Sequence, residues 1–105
     1  MALAKGVAFP EARIKEFCKK WGVREFAFFG SVLRDDFRPE SDVDVLVDFE
    51  PDVHRTLFDL VSMSDELREI FGRDIDLLTR RGVEQSRNYI RRSEILSTME
   101  VLYAA

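Results

Sequence analysis

Asp42 and Asp44 stand two residues apart in SDVDVLVDF, residues 41–49, and Asp76 stands in RDIDLLT, residues 73–79. In both stretches polar and apolar residues alternate, the pattern of a strand with two different faces. Val43, Val45, Val47 and Phe49 then face one way, and Asp42, Asp44, Leu46 and Asp48 the other. On a strand, residues two apart lie about 6.5 to 7 Å from each other, so Asp42 and Asp44 project in parallel. If the second stretch pairs beside the first, at roughly 4.8 Å, Asp76 joins them. Aspartate is a poor strand former, and like charges repel across a sheet, so such a cluster calls for a cation. Oxygen-only ligands suit Mg2+, which takes a few carboxylates together with water and substrate phosphates. Two such ions can activate an attacking oxygen and stabilise a leaving one in phosphoryl transfer.

Gly30-Ser31 supplies what the aspartates lack. Glycine lets backbone approach a phosphate closely, backbone N–H groups opening a helical turn attract an anion, and Ser31 adds a hydroxyl. Arg34 reaches either a phosphate or a nearby acid.

The elements around these residues follow from periodicity. Ile14, Phe17, Cys18 and Trp21 fall at helical spacing between Pro10, suited to a first turn, and Gly22, suited to a C-terminal stop. VREFAFFG reads as a strand buried on both faces, and VLRDDFRPES as a short helical turn followed by a loop. Leu57, Leu60, Val61, Leu67, Ile70 and Phe71 mark a second amphipathic helix ending at Gly72. In the third strand Ile75 and Leu77 share one face, and Asp74, Asp76 and Leu78 the other. Gly82 reads as a break, and Val83 to Tyr103 as helix, in one or two pieces, with Ile90, Ile95, Met99 and Leu102 inward. The expected order is helix, strand, strand, helix, strand, helix.

GSVLRDDFRPESDVDVLV, followed some thirty residues later by DIDLLT, resembles the DNA polymerase beta-like nucleotidyltransferase superfamily. Within it the chain is most similar to the minimal nucleotidyltransferase (MNT) antitoxins that partner HEPN toxins. The resemblance implies an α/β (α+β) fold, a small mixed β-sheet flanked by helices, forming a single domain over residues 1–105. It implies that Asp42, Asp44 and Asp76 are the catalytic residues and the metal ligands, and that Gly30, Ser31, Arg34 and Ser41 bind the nucleotide. Alternation alone leaves Asp74 and Asp76 open; resemblance to the Val-Asp-Leu-Val pattern favours Asp76. Many members carry glycine after the arginine, where this chain has Asp35. The implied reaction is Mg2+-dependent transfer of AMP from ATP to a tyrosine hydroxyl of the HEPN toxin. The alternatives are a non-catalytic antitoxin that neutralises by binding, and transfer to a small molecule or an RNA end.

The chain of 105 residues, with 46% hydrophobic and 34% charged side chains, suits one compact domain whose site is open or completed by a partner. A net charge of −4 argues against binding nucleic acid through overall charge. Cys18 is the single cysteine, which excludes an intrachain disulfide and fits a reducing compartment. With no signal-like or membrane-spanning run, the expected location is the cytoplasm. His54 is the single histidine and no GxSxG surrounds Ser31, which argues against serine-hydrolase chemistry. Asp48 reads as surface charge beyond the metal area. Cys18 and Trp21 read as core. Arg80, Arg81, Arg87, Arg91 and Arg92 form the one basic concentration, serving a triphosphate, an RNA, an acidic partner or only solvent.

Overall fold

A computed structural model describes residues 2–4, 7–30 and 42–104. A short hairpin, β1 (Ala2–Ala4) and β2 (Val7–Phe9), precedes helix α1 (Glu11–Trp21). There follow β3 (Val23–Phe29), β4 (Val43–Phe49), α2 (Leu57–Phe71), β5 (Ile75–Thr79), α3 (Arg80–Glu84), α4 (Tyr89–Thr98) and β6 (Glu100–Ala104). The main sheet has the order β5-β4-β3-β6, with β4 and β5 parallel and the other neighbours antiparallel. It is a small mixed sheet with helices on both faces.

Local chemistry explains the helices. Glu11 in the first turn of α1 and Lys19 and Lys20 in the last complement the helix dipole. Pro10 is the residue before that first turn, where its missing N–H costs nothing. α2 opens with a capping box: the Asp59 N–H donates to Thr56 Oγ1 at 3.2 Å, and the Thr56 N–H donates to Asp59 Oδ2 at 3.0 Å.

Two cores sandwich the sheet. Ile14, Phe17 and Cys18 of α1 and Met63 and Leu67 of α2 pack on Phe26, Phe28, Val43, Val45 and Val47. On the reverse face Ala27, Phe29 and Leu46 pack with Val83 of α3 and Ile95 of α4. From Phe26 to Phe29, β3 is thereby buried on both faces, as that apolar run requires. Ile75 and Leu77 join the first core and Leu78 the second. Trp21 is half-buried: its indole N–H donates to Glu66, and Lys20 and Arg55 lie over its ring.

The C-terminal quarter departs from expectation. The helix ends at Thr98, Met99 has extended backbone (ψ 144°), and Glu100–Ala104 pairs with β3 as a strand. That pairing gives the edge of β3 a neighbour, and tertiary hydrogen bonding overrides a weak helical pattern. Leu102 and Tyr103 are half-buried against the first core, whereas Ile90, expected inside, is 66% exposed. Gly82 lies within α3 instead of breaking the chain, its N–H donating to Thr79 Oγ1 at 3.1 Å.

Burial pushes the Cys18 thiol from an ordinary 9.0 up to about 12. The group therefore leaves stability unchanged below about pH 9. Between about pH 9 and pH 12 stability falls, because the unfolded chain releases a proton that the folded chain retains. Thiol reagents at pH 8 are expected to leave Cys18 unlabelled until denaturant unfolds the chain, as read by mass spectrometry.

Candidate functional site

The parallel pairing of β4 with β5 brings the aspartates together. In that register Asp44 stands opposite Asp76 on β5, and on its other side opposite Phe29 on β3. Asp42 comes just before β4, whose first N–H, that of Val43, donates to the Asp74 carbonyl at 3.0 Å. All three belong to the sheet face that carries Leu46 and Leu78, at the amino ends of the two parallel strands and the carboxyl end of β3. Asp44 is half-buried, and Asp42 and Asp76 are exposed. Placement on an open end keeps the carboxylates hydrated where water lowers the cost of their mutual repulsion.

Gly30 closes β3 with φ +67°. A methyl at this position would run into the carboxylate of Asp44. Two separate requirements thus converge on glycine: a left-handed backbone and room for the neighbouring acid. Ser31, Arg34 and Ser41, expected to bind nucleotide, lie outside the described residues.

The other acids have different surroundings. Asp74 is 77% exposed at its side chain and lies 3.6 Å from Arg68. Asp48, further along β4, receives a hydrogen bond from Arg24 at 2.5 Å, and that contact raises the pKa of the guanidinium. Neither stands opposite Asp44. His54 is exposed just ahead of the α2 cap, away from the aspartates.

Three carboxylates offer hard oxygen donors, which suits magnesium in kind. As the side chains stand, no three His, Cys, Asp or Glu groups among the described residues are close enough to hold a metal ion. The fit is one of donor type and strand register alone.

The basic concentration divides. Arg80 pairs with Glu25 at 3.2 Å, and Arg92 donates to the carbonyls of Glu84 and Ser86 at 3.2 Å each, so both brace the fold. Arg81, Arg87 and Arg91 are exposed. Two cavities absent from the sequence reading adjoin at Leu60 and Thr79. One, of about 350 Å³, lies at the carboxyl ends of β4 and β5 and includes Asp48, His54, Arg55 and Arg81. The other, of about 320 Å³, runs beside β5. Cavities built from residues distant in sequence leave no local pattern to read.

Residues 11–98 match the nucleotidyltransferase domain family, and the chain belongs to that family. Among its relatives is a protein named as a protein adenylyltransferase of Methanocaldococcus jannaschii, 40% identical over 60 residues, or 57% of this chain and 62% of that one. Another is the protein adenylyltransferase MntA of Thermococcus cleftensis, 37% identical over 67 residues, or 64% of this chain and 66% of that one. The matches thus span somewhat less than two thirds of these relatives. A solved structure described as a minimal nucleotidyltransferase superposes with TM-score 0.64 at 30% identity, covering 86% of each chain. A chain of a toxin–antitoxin complex crystallised with AMP-PNP superposes with TM-score 0.69 at 16% identity, covering 90% of this chain and 73% of that one. Among the described residues no helix is long and apolar enough to cross a membrane.

Gly72, also left-handed at φ +68°, has nothing within 4 Å of an added methyl, which makes it a control for Gly30. Alanine at either position is expected to cost about 1–2 kcal/mol in chemical denaturation. Only Gly30→Ala turns the Asp44 carboxylate aside. Calorimetry with ATP and magnesium is expected to show weakened uptake for that variant alone.

Proposed function

We propose that the chain is the antitoxin of a HEPN/MNT toxin–antitoxin pair and acts as a protein adenylyltransferase, moving AMP from ATP to a tyrosine hydroxyl of the toxin. The observation that carries this reading is the register of Asp44 against Asp76, with Asp42 two residues ahead and Gly30 alongside. The names of the relatives support the reaction class, and the family supports nucleotidyl transfer. An unpaired, buried cysteine and a nucleotide substrate support a cytoplasmic setting.

In this reading Asp42, Asp44 and Asp76 hold magnesium, most simply as two ions. When bound, magnesium supplies positive charge to the triphosphate and acidifies the acceptor hydroxyl. The chain's own residues have defined tasks. Gly30 lets backbone approach the phosphates, and Ser31, Arg34 and Ser41 contribute donors to the same end. Asp76, exposed at the open end, meets the incoming acceptor. A tyrosine hydroxyl has an ordinary pKa near 10, so a nearby carboxylate aids removal of its proton at neutral pH. The phenolic oxygen forms a bond to the α-phosphorus as the bond from that phosphorus to the bridging oxygen breaks. Pyrophosphate leaves with the electron pair, and the phenolic proton passes through Asp76 to water.

The decisive experiment incubates the chain with its HEPN partner, ATP and magnesium, and weighs the partner. A gain of adenylyl units supports transfer; no gain rejects it. The double variant Asp42→Asn/Asp44→Asn is expected to lower transfer by on the order of 10³-fold while still forming the complex. Undiminished neutralisation by that variant would assign the antitoxin effect to occlusion instead. Asp76→Asn is expected to lose transfer to a similar extent, whereas Asp74→Asn, which removes only a surface pair worth under about 1 kcal/mol, leaves it intact.

A further inference from the structure

Large apolar side chains are exposed at the end of the molecule remote from the aspartates. In the first turns of α2, Leu57, Phe58 and Val61 are 77%, 86% and 56% exposed; at the start of α4, Tyr89 and Ile90 are 64% and 66% exposed. α2 packs on one face of the sheet and α4 on the other. Because β4 and β5 are parallel, α2 must run back between them, and α4 likewise returns from β5 toward the start of β6. Their amino ends therefore flank the carboxyl end of β5 from opposite sides. β5 is an edge strand, and the groove beside it is lined by Leu60, Leu77, Leu78, Val83 and Ile95. A sheet edge between two apolar helix ends is a seat for another chain.

Charge identifies the chemistry of the occupant. Arg91 lines the groove and Arg81 the adjoining cavity. With Arg87 they are exposed and make no ion pair among the described residues. Such cationic groups around an apolar groove, on a chain of net charge −4, complement a segment that carries both apolar and acidic side chains. Two copies of this chain meeting through the face would set arginine against arginine. The net charge of −4 disfavours RNA as the occupant, even though Phe58 and Tyr89 are exposed rings.

We infer that the β5 edge and the amino ends of α2 and α4 form the docking surface for the protein that receives AMP, gripped through an acidic, apolar segment. This rests on the partner reading above. The surface lies about 10–17 Å along the strands from the aspartates, so binding and chemistry occupy opposite ends of β4 and β5.

The test measures binding of the HEPN partner by calorimetry to wild type, to Phe58→Asp/Ile90→Asp and to Arg81→Glu/Arg91→Glu, with ATP uptake and thermal melting as controls. Both variants are expected to bind the partner at least about tenfold more weakly, while ATP uptake and melting stay near wild type. The KM for the partner rises with them. Wild-type binding matched by both variants would overturn the docking surface and leave the partner reading standing. Failure of wild type itself to bind would overturn the partner reading and this proposal together. A dimer of the chain alone, made monomeric by Phe58→Asp/Ile90→Asp in sedimentation, would assign the face to a second copy and overturn it as well.

Discussion

The parallel ladder between β4 and β5 is the contact on which the rest of the molecule depends. It sets Asp44 opposite Asp76, an arrangement that repels unless a cation intervenes. In water-like surroundings two unit charges 4 Å apart repel by about 1 kcal/mol. Against this stand Val43, Val45 and Val47 on the same strand, all fully buried, each stabilising by about 1.5–3 kcal/mol. Burial exceeds repulsion severalfold, so the strand holds its register and the acids are carried into place. The alternation of SDVDVLVDF is the means: one parity anchors and the other presents.

The same ladder explains why the acids sit at a strand end. Further along β4 the same face carries Leu46, buried under α3 and α4 with Val83 and Ile95. A carboxylate there would be stripped of water at a cost of several kcal/mol. At the start of the strand Asp42 and Asp76 are exposed. Gly30 completes the arrangement from β3, since any side chain there would occupy the space of the Asp44 carboxylate.

Much of the fold is legible in the sequence. α1, β3, β4, α2 and β5 follow from periodicity and stop residues, because each buries one well-marked face or two. The register sets Asp76, and not Asp74, opposite Asp44; in the sequence, alternation leaves the two open and only resemblance favours Asp76. What stayed hidden depends on tertiary contact. Glu100–Ala104 carries no strong strand pattern and becomes a strand because β3 offers it an unpaired edge. The β1–β2 hairpin has three residues per strand, too few for alternation to register. Ile90 occupies a position of the helical stripe that the short α4 leaves uncovered, and hydrophobic spacing alone does not distinguish an inward residue from one awaiting a partner.

For the proposed function, 105 residues leave little room to enclose an acceptor protein, and Asp42 and Asp76 are exposed. On the proposed function, recognition of the acceptor draws on surface elsewhere, and among the described residues the sheet has two unshared edges. β6 has the same length as β5, with Leu102 and Tyr103 half-buried against the first core, and among the described residues no cavity beside it matches the groove along β5 in size. β5 has exposed apolar helix ends on both sides and arginines beside it. It is also the strand that carries Asp76. On the proposed docking, a partner seated on β5 is held by the same strand that bears Asp76, so docking fixes the acceptor relative to that carboxylate.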